Sequence, residues 1–173
     1  MHADPTRHRK TEILLILALA FSGGCFNPFA PGVDNSPPGA GFDQTTVEGV
    51  FQIFQSAYNT RDTTRYGRLL APEFTFVYRD YDQGLDVTWG RDIEMRYTYV
   101  MFQNAQRLDL IWNNIISTSP DSARLNVLRG FNLTVTLNPT NVLQASGYAN
   151  LTLERANDGD PWKIVIWRDQ SNY

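Results

Sequence analysis

The stretch VEGVFQIFQSAYNTRDTTRYGRLLAPEFTFVY, residues 47–78, decides the fold of this chain. From about Thr46 to Asn59, apolar residues recur three and four positions apart, as on the buried stripe of a helix. A second short helix is predicted from Tyr66 to Leu70, ended by Pro72, and Phe74–Tyr78 alternates as a strand does. The stretch therefore predicts a helix that packs against a sheet. The stripe of the first helix consists of Val47, Val50, Phe51, Phe54, Ala57 and Tyr58.

Beyond this stretch, the periodicity changes from helical to extended. Trp89-Gly90-Arg91 is predicted to open a third helix that reaches about Asn104. From Leu108 onward, apolar and polar residues alternate in long strands, with turns at 138–141 and 157–160. Three helical segments followed by antiparallel strands indicate an α+β fold. The buried stripe predicted for the third helix is Ile93, Tyr97, Val100 and Met101.

Residues 1–24 have the order of a lipoprotein export signal. Basic residues precede the apolar run Ile13–Phe21, which is less than half of the ~20 residues that cross a bilayer. Ser22-Gly-Gly-Cys25 resembles the lipobox of bacterial lipoproteins, with Ser22 where that pattern usually has Leu. We expect Cys25 to carry lipid and to anchor the protein to the membrane; the alternative is secretion with a free thiol.

Residues 25–43 are rich in proline and glycine and are predicted to be a tether, which leaves 44–173 as the folded domain. Phe26, and not Asp, follows Cys25, which in the lipoprotein pattern favours the outer membrane. The expected location is therefore the bacterial cell envelope, with the domain facing the periplasm.

Processing would also restrict the chemistry of the domain. Both histidines, His2 and His8, lie in the predicted signal, and the only cysteine would be acylated. This excludes Ser-His-Asp and Cys-His nucleophiles and the usual zinc sites. The formal net charge of −3 offers no basic face for nucleic acid. Residues 80–86 are polar and predict a turn, but a calcium loop starting at Asp80 fails because Leu85 and Arg91 stand where Gly and Glu are needed. No metal, cofactor or nucleic-acid partner is expected.

Several segments in this order resemble the nuclear transport factor two-like superfamily, which includes SnoaL-like and ketosteroid isomerase-like proteins. They are Val47–Tyr58, Tyr66–Phe74, the Trp89-Gly90-Arg91 helix start and the last strand, Trp162–Trp167. The resemblance implies a cone: a curved antiparallel sheet wrapped around N-terminal helices, as in cystatin-like and SnoaL-like α+β barrels. It also implies a pocket at the wide end of the cone and, often, a homodimer through the outer sheet face.

Enzymes of this superfamily use an acid or base inside the cone, commonly aspartate with tyrosine or histidine. Such a site could draw on Tyr58, Tyr78, Asp80, Tyr97 and Asp109, with Glu73 as a further carboxylate, but no catalytic motif matches and no catalytic residue is assigned. The predicted pocket residues are Tyr58, Tyr78, Tyr97, Asp109, Trp112 and Arg129.

The position of Arg129 has two interpretations. Alternation places it on the face of Val127 and Phe131, where an unpaired guanidinium is costly. In the first, Arg129 lines a polar cavity or pairs with a carboxylate. In the second, which we favour, Gly130 marks a bulge that turns Arg129 toward solvent.

The four tryptophans are predicted to be core or dimer-contact residues more than ligand-stacking ones: Trp89, Trp112, Trp162 and Trp167.

Two functions follow from these features. The favoured hypothesis is an envelope-anchored, non-catalytic lipoprotein that binds a small ligand in its cone or a protein partner on its sheet. The alternative is an acid–base enzyme acting on a small organic molecule, which needs a carboxylate inside the cone beside a tyrosine hydroxyl.

Overall fold

The computed structural model describes residues 41–121 and 124–172; the predicted signal, Cys25 and most of the tether lie outside this part of the chain. It contains three helices: α1 at Val47–Thr60, α2 at Thr63–Leu69 and α3 at Arg91–Asn104. None of these described helices has the length and apolar character needed to span a membrane.

Short polar side chains start the first two helices. The Thr46 hydroxyl accepts a hydrogen bond from the backbone N–H of Gly49 (3.0 Å), which confirms the predicted start of α1. The Asp62 carboxylate accepts one from the N–H of Arg65 (2.8 Å). Because Asp62 acts as a cap and not as part of a loop, α2 begins three residues before the predicted Tyr66.

Six strands form one open sheet in the order β2-β1-β6-β5-β4-β3. This sheet curves around the helices, so the predicted cone-like α+β fold is confirmed. The edges, β2 and β3, are not joined, and the cone is therefore not a closed barrel. The strands are β1 (Leu70–Asp80), β2 (Leu85–Gly90), β3 (Arg107–Asp121), β4 (Arg124–Asn138), β5 (Asn141–Glu154) and β6 (Lys163–Asn172).

The sheet is mixed, whereas the sequence predicted antiparallel strands throughout. Four neighbouring pairs are antiparallel, but β1 and β6 are parallel, with Phe76 beside Trp167. Alternation along a strand reports which face is buried and carries no information on the direction of a distant partner. The parallel pair therefore lay beyond what the pattern could predict.

Strand β2 also differs from the prediction, which treated 80–86 as a polar turn. The turn is confined to 81–84, and Leu85–Gly90 pairs with β1 as an edge strand. Most of its residues are at least partly exposed, so its alternation of Leu85, Val87 and Trp89 is weak.

Helix α1 lies on the concave face of the sheet. Its residues Phe51 and Phe54 are buried to within 1% exposure, against strand residues such as Val127, Leu151 and Ile164. The predicted apolar stripe of α1 is thereby confirmed, with Val47 only partly buried at its start. The C-terminal end of α1 is fixed by Arg61, whose left-handed backbone returns its N–H to the Tyr58 carbonyl (3.0 Å).

Candidate functional site

A cavity of about 630 Å³ lies between helices α1 and α3 and the concave face of the sheet. All six strands supply residues to its wall, and β2 and β5 contribute one each, Trp89 and Ala145. Its wall is mainly aromatic, with Phe54, Tyr58, Phe76, Tyr78, Trp89, Tyr97, Trp112, Phe131 and Trp167. These side chains line the hollow and leave space between them.

The inner face of α3 is polar, contrary to the predicted stripe. Glu94, Thr98 and Phe102 are buried, whereas Tyr97 is 57% exposed at the rim of the cavity. Ile93 and Val100 are also exposed, and Met101 is half-buried on the cavity wall. The reason is that α3 faces a hollow as well as packed core, and polar side chains with partners can be buried there.

Glu94 is the centre of a hydrogen-bond network at the cavity wall. It is 5% exposed, and its Oε1 accepts from the Tyr66 hydroxyl (2.6 Å) and from Thr98 Oγ1 (3.2 Å). Its Oε2 accepts from the indole N–H of Trp89 (2.8 Å). These bonds connect α2, α3 and β2, so the carboxylate is held in one orientation.

Two buried tyrosines stand next to this carboxylate. Burial raises the pKa of Tyr58 and of Tyr66 well above the ordinary value, and the charge of Glu94 raises both further. Both hydroxyls therefore stay protonated at neutral pH and can donate hydrogen bonds.

Asp169 is a second carboxylate of the cavity wall. It is 8% exposed, on β6, and accepts hydrogen bonds from the backbone N–H (3.1 Å) and hydroxyl (2.8 Å) of Ser171. Glu94 and Asp169 both act electrostatically on Tyr58, so the cavity carries two carboxylates around one tyrosine. In the described part of the chain, no three His, Cys, Asp or Glu side chains come together as a metal site requires.

Comparison with solved structures places this geometry on a known scaffold. A conserved protein from Planctomyces limnophilus superposes with a TM-score of 0.64 at 11% identity, over 75% of this chain and 96% of its own. A candidate dehydratase of the NTF2-like family from Streptomyces avermitilis gives 0.58 at 14% identity, over 73% and 94%. The chain has the NTF2-like fold. A candidate scytalone dehydratase from Novosphingobium aromaticivorans gives 0.59 at 12% identity, over 73% and 82%.

At these identities the likeness shows the NTF2-like fold alone. No protein-family model matches the sequence, and no curated protein matches it significantly. The chemistry of the site has to be argued from its own residues.

Four of the predicted pocket residues line the cavity of this NTF2-like fold. Tyr58 lies at its base, Tyr78 and Tyr97 pack against Trp89 (ring centroids 5.7 and 5.4 Å), and the Trp112 indole donates to the Phe51 carbonyl (3.0 Å). Their contact with a ligand stays a prediction.

The structure does not bring Asp109 into the cavity. Leu108 and Leu110 point inward from β3, so Asp109 between them points out and pairs with Arg107 (2.7 Å). Asp80 accepts hydrogen bonds from Gln83 in the β1–β2 turn, and Glu73 is exposed. None of these three carboxylates lines the hollow, and the alternative hypothesis must use Glu94 and Asp169 instead.

Arg129 also lies outside the cavity wall, in a paired position. Its guanidinium donates to the Glu48 carboxylate (2.8 and 3.4 Å) and to the Asn113 carbonyl (2.7 Å), and it lies 4.7 Å from the centroid of the Phe51 ring. The favoured interpretation, exposure at a Gly130 bulge, is wrong. The extra residues of the irregular pairing belong to β3, near Asn113, and the Arg129 side chain is only 11% exposed.

The four tryptophans all pack against the core, as predicted, and three of them also form part of the cavity wall. Trp162 is the exception, because it stacks with the guanidinium of Arg155 (4.4 Å) away from the hollow. The buried indole N–H of Trp167 has no hydrogen-bond partner in the described structure.

Sequence reasoning missed Glu94 and Asp169. Glu94 lies in the first turn of α3, where an acidic residue is ordinary, and Asp169 follows Arg168 in a strand end that looks solvated. One signal was available: the strict helical spacing of Glu94, Thr98 and Met101 places them on one face beside the buried Phe102.

Proposed function

We propose that the domain binds a small, mainly apolar organic molecule inside the cone. The observation that carries this proposal is the aromatic cavity of about 630 Å³ with Glu94 and Asp169 in its wall. Small-molecule sites typically enclose about 300–1,000 Å³ and combine an apolar wall with a few polar groups. The carboxylates would orient a bound molecule, while the rings supply most of the contact area.

A cavity-filling variant tests this proposal with 4-tert-butylphenol as the probe. Ala145 lines the hollow, so Ala145→Phe should lower the affinity at least tenfold in isothermal titration calorimetry. Ala156→Phe makes the same change in an exposed loop and should leave the affinity unchanged. Equal binding by the two variants would refute a ligand site in the cone.

An acid–base enzyme is the second candidate, favoured by the same two carboxylates. Proton transfer beside a carbonyl needs a carboxylate as the base and a donor for the oxygen, and Asp169 and Tyr58 in the cavity wall offer these two groups. The measurement is deuterium exchange next to the carbonyl of 2-tetralone, followed by NMR. If the protein is an enzyme, Asp169→Asn should lower the rate of this exchange about 100-fold or more. If the parent protein exchanges 2-tetralone no faster than buffer does, binding alone is favoured.

We also propose that Cys25 is lipidated and holds the domain in the cell envelope. The support is the order of the sequence from Arg7 to Cys25, all of it outside the described residues. Expression in a bacterium with labelled palmitate should label the protein, and Cys25→Ser should remove both the label and the membrane association. A protein that stays in the soluble periplasmic fraction would argue for secretion instead.

A second copy of the chain is the partner that we propose for the outer sheet face. Ile111 on β3 and Tyr148 on β5 lie on this face, and both are about half exposed. Sedimentation velocity should show a dimer that Ile111→Lys converts to a monomer. A monomeric parent protein would count against this surface.

A further inference from the structure

The charge of the cavity wall is one-sided. Glu94 and Asp169 are its acidic residues, and none of the described residues that line it is Lys, Arg or His. The nearby basic residues on the sheet are engaged elsewhere: Arg129 pairs with Glu48, and Arg168 pairs with Asp86 at 3.0 Å. Among the described residues, the wall therefore carries two carboxylates and no basic side chain.

The contacts of Glu94 all use its carboxylate oxygens as acceptors. An indole N–H can only donate, and the Trp89 indole donates to Oε2, while two hydroxyls donate to Oε1. The network therefore holds the carboxylate in a fixed orientation at the cavity wall.

The aromatic wall also favours a cation. Ring faces carry the negative part of the aromatic quadrupole and attract cations within about 6 Å, most strongly at tryptophan. Trp89, Trp112 and Trp167 line the hollow together with tyrosine and phenylalanine rings. An anion would meet both the rings and the carboxylates, and no lysine, arginine or histidine among the described wall residues would offset the loss of its hydration.

We propose that the cavity selects a cationic ligand: an amine, protonated or quaternary, joined to an apolar body of about one or two rings. This inference rests on the proposed binding function and adds the chemical class of the ligand. The amine would lie beside Glu94 and Asp169, and the apolar body would fill the space between the rings of α1 and the sheet.

Three phenols of nearly equal shape test the charge preference. They are (4-hydroxyphenyl)trimethylammonium, its neutral isostere 4-tert-butylphenol and the anion 4-hydroxybenzenesulfonate. Calorimetry should show the cation binding at least tenfold more tightly than the neutral compound, with the anion weakest. If the neutral compound binds as tightly as the cation, the charge preference is wrong while ligand binding stands. If none of the three binds, the proposed binding function itself fails.

Variants then identify the groups responsible. Asp169→Asn and Glu94→Gln should each lower the affinity for the cation about tenfold more than the affinity for 4-tert-butylphenol, and far-UV circular dichroism reports whether each variant is folded. Asp109→Asn removes a carboxylate outside the cavity and should change neither affinity. Equal losses for the cation and the neutral compound would overturn the assignment of the two carboxylates.

Discussion

Arg129 and Glu48 form an ion pair whose two members differ in their access to water. The Arg129 side chain is 11% exposed, under α1, whereas that of Glu48 is 53% exposed in the first turn of the helix. Breaking a pair is costly when the remaining charge is buried and cheap when it is hydrated. The cost of a substitution should therefore depend on which partner is removed.

We predict that Glu48→Ala destabilises the fold by about 2 kcal/mol or more, because it leaves the guanidinium with fewer acceptors. Arg129→Met keeps most of the apolar stem and should cost less than about 1 kcal/mol. Urea denaturation measures both. Glu154→Ala breaks the more exposed pair with Arg124 and should cost about 0–1 kcal/mol. A larger loss for Arg129→Met than for Glu48→Ala would contradict the argument.

Glu94 has a structural role that is separable from any role in binding. Glu94→Ala leaves the Trp89 indole and the Tyr66 hydroxyl without their acceptor, and we expect a loss of about 2–4 kcal/mol. Glu94→Gln keeps one acceptor oxygen and should lose less. Glu73→Ala, at an exposed position, is the control and should be nearly neutral. Denaturation curves of the three variants that coincide would show that the network does not contribute.

At the scale of elements, helix α3 shows where pattern reading fails. Its start at Arg91 and its end at Asn104 are predicted well, because the residues that flank it are clear, but its buried face is not. A hydrophobic stripe identifies the inner face only when that face meets a solid core. In α3 the usual burial is reversed. The polar residues Glu94 and Thr98 are buried, whereas Tyr97 and Val100 are exposed.

Strands β5 and β6 approach closely at Gly147. A Cβ atom there would lie 2.4 Å from the Cα of Ser171 and 2.6 Å from the carbonyl oxygen of Gln170. Since both are backbone atoms of β6, the strands would have to separate, and Gly147→Ala should cost about 2 kcal/mol or more. A Cβ atom at Gly130 would meet the side chain of Asn113 at 3.3 Å and the Gly147 carbonyl oxygen at an ordinary contact distance of 3.7 Å, so Gly130→Ala should cost less. Thermal denaturation that finds Gly130→Ala the more damaging would refute this account.

At the scale of the whole molecule, the buried tyrosines set the alkaline limit of stability. The unfolded chain releases tyrosine protons near pH 10, whereas Tyr58 and Tyr66 keep theirs in the folded state because burial raises their pKa. Above about pH 10 the folded state binds more protons, so the free energy of unfolding falls with pH. Each tyrosine contributes about 1.4 kcal/mol per pH unit.

We predict that Tyr58→Phe and Tyr66→Phe each make this fall less steep, as measured by urea denaturation between pH 8 and 11. Tyr81→Phe, at a position that is 83% exposed, should leave the slope unchanged. Lys163 has a lowered pKa, caused first by burial, and acts in the opposite direction below about pH 10.5. The effect of Lys163 is common to all the variants. Equal slopes of the unfolding free energy against pH in all of them would therefore refute the assignment of the fall to Tyr58 and Tyr66.

The sequence was sufficient for the scaffold and insufficient for the site. The stripe of α1 and the alternation of β3 to β6 follow from residue spacing alone, and the cone-like fold follows from their order. The parallel pairing of β1 with β6 and the inward turn of Glu94 and Asp169 depend on distant parts of the chain. The prediction that placed Asp109 in the pocket was wrong at the local level too, because its alternation with Leu108 and Leu110 points it outward.

Strand β6 lies between β1 and β5, so the last strand in the chain joins the two parts of the sheet. The partners Phe76 and Trp167 are separated by about ninety positions, which gives this pairing a high contact order and a large loop-closure entropy. During synthesis, β1 and β2 have no central neighbour until the C-terminal segment has left the ribosome. The β1–β2 pair can therefore join the rest of the sheet only in a late step of folding, once β6 has been synthesised.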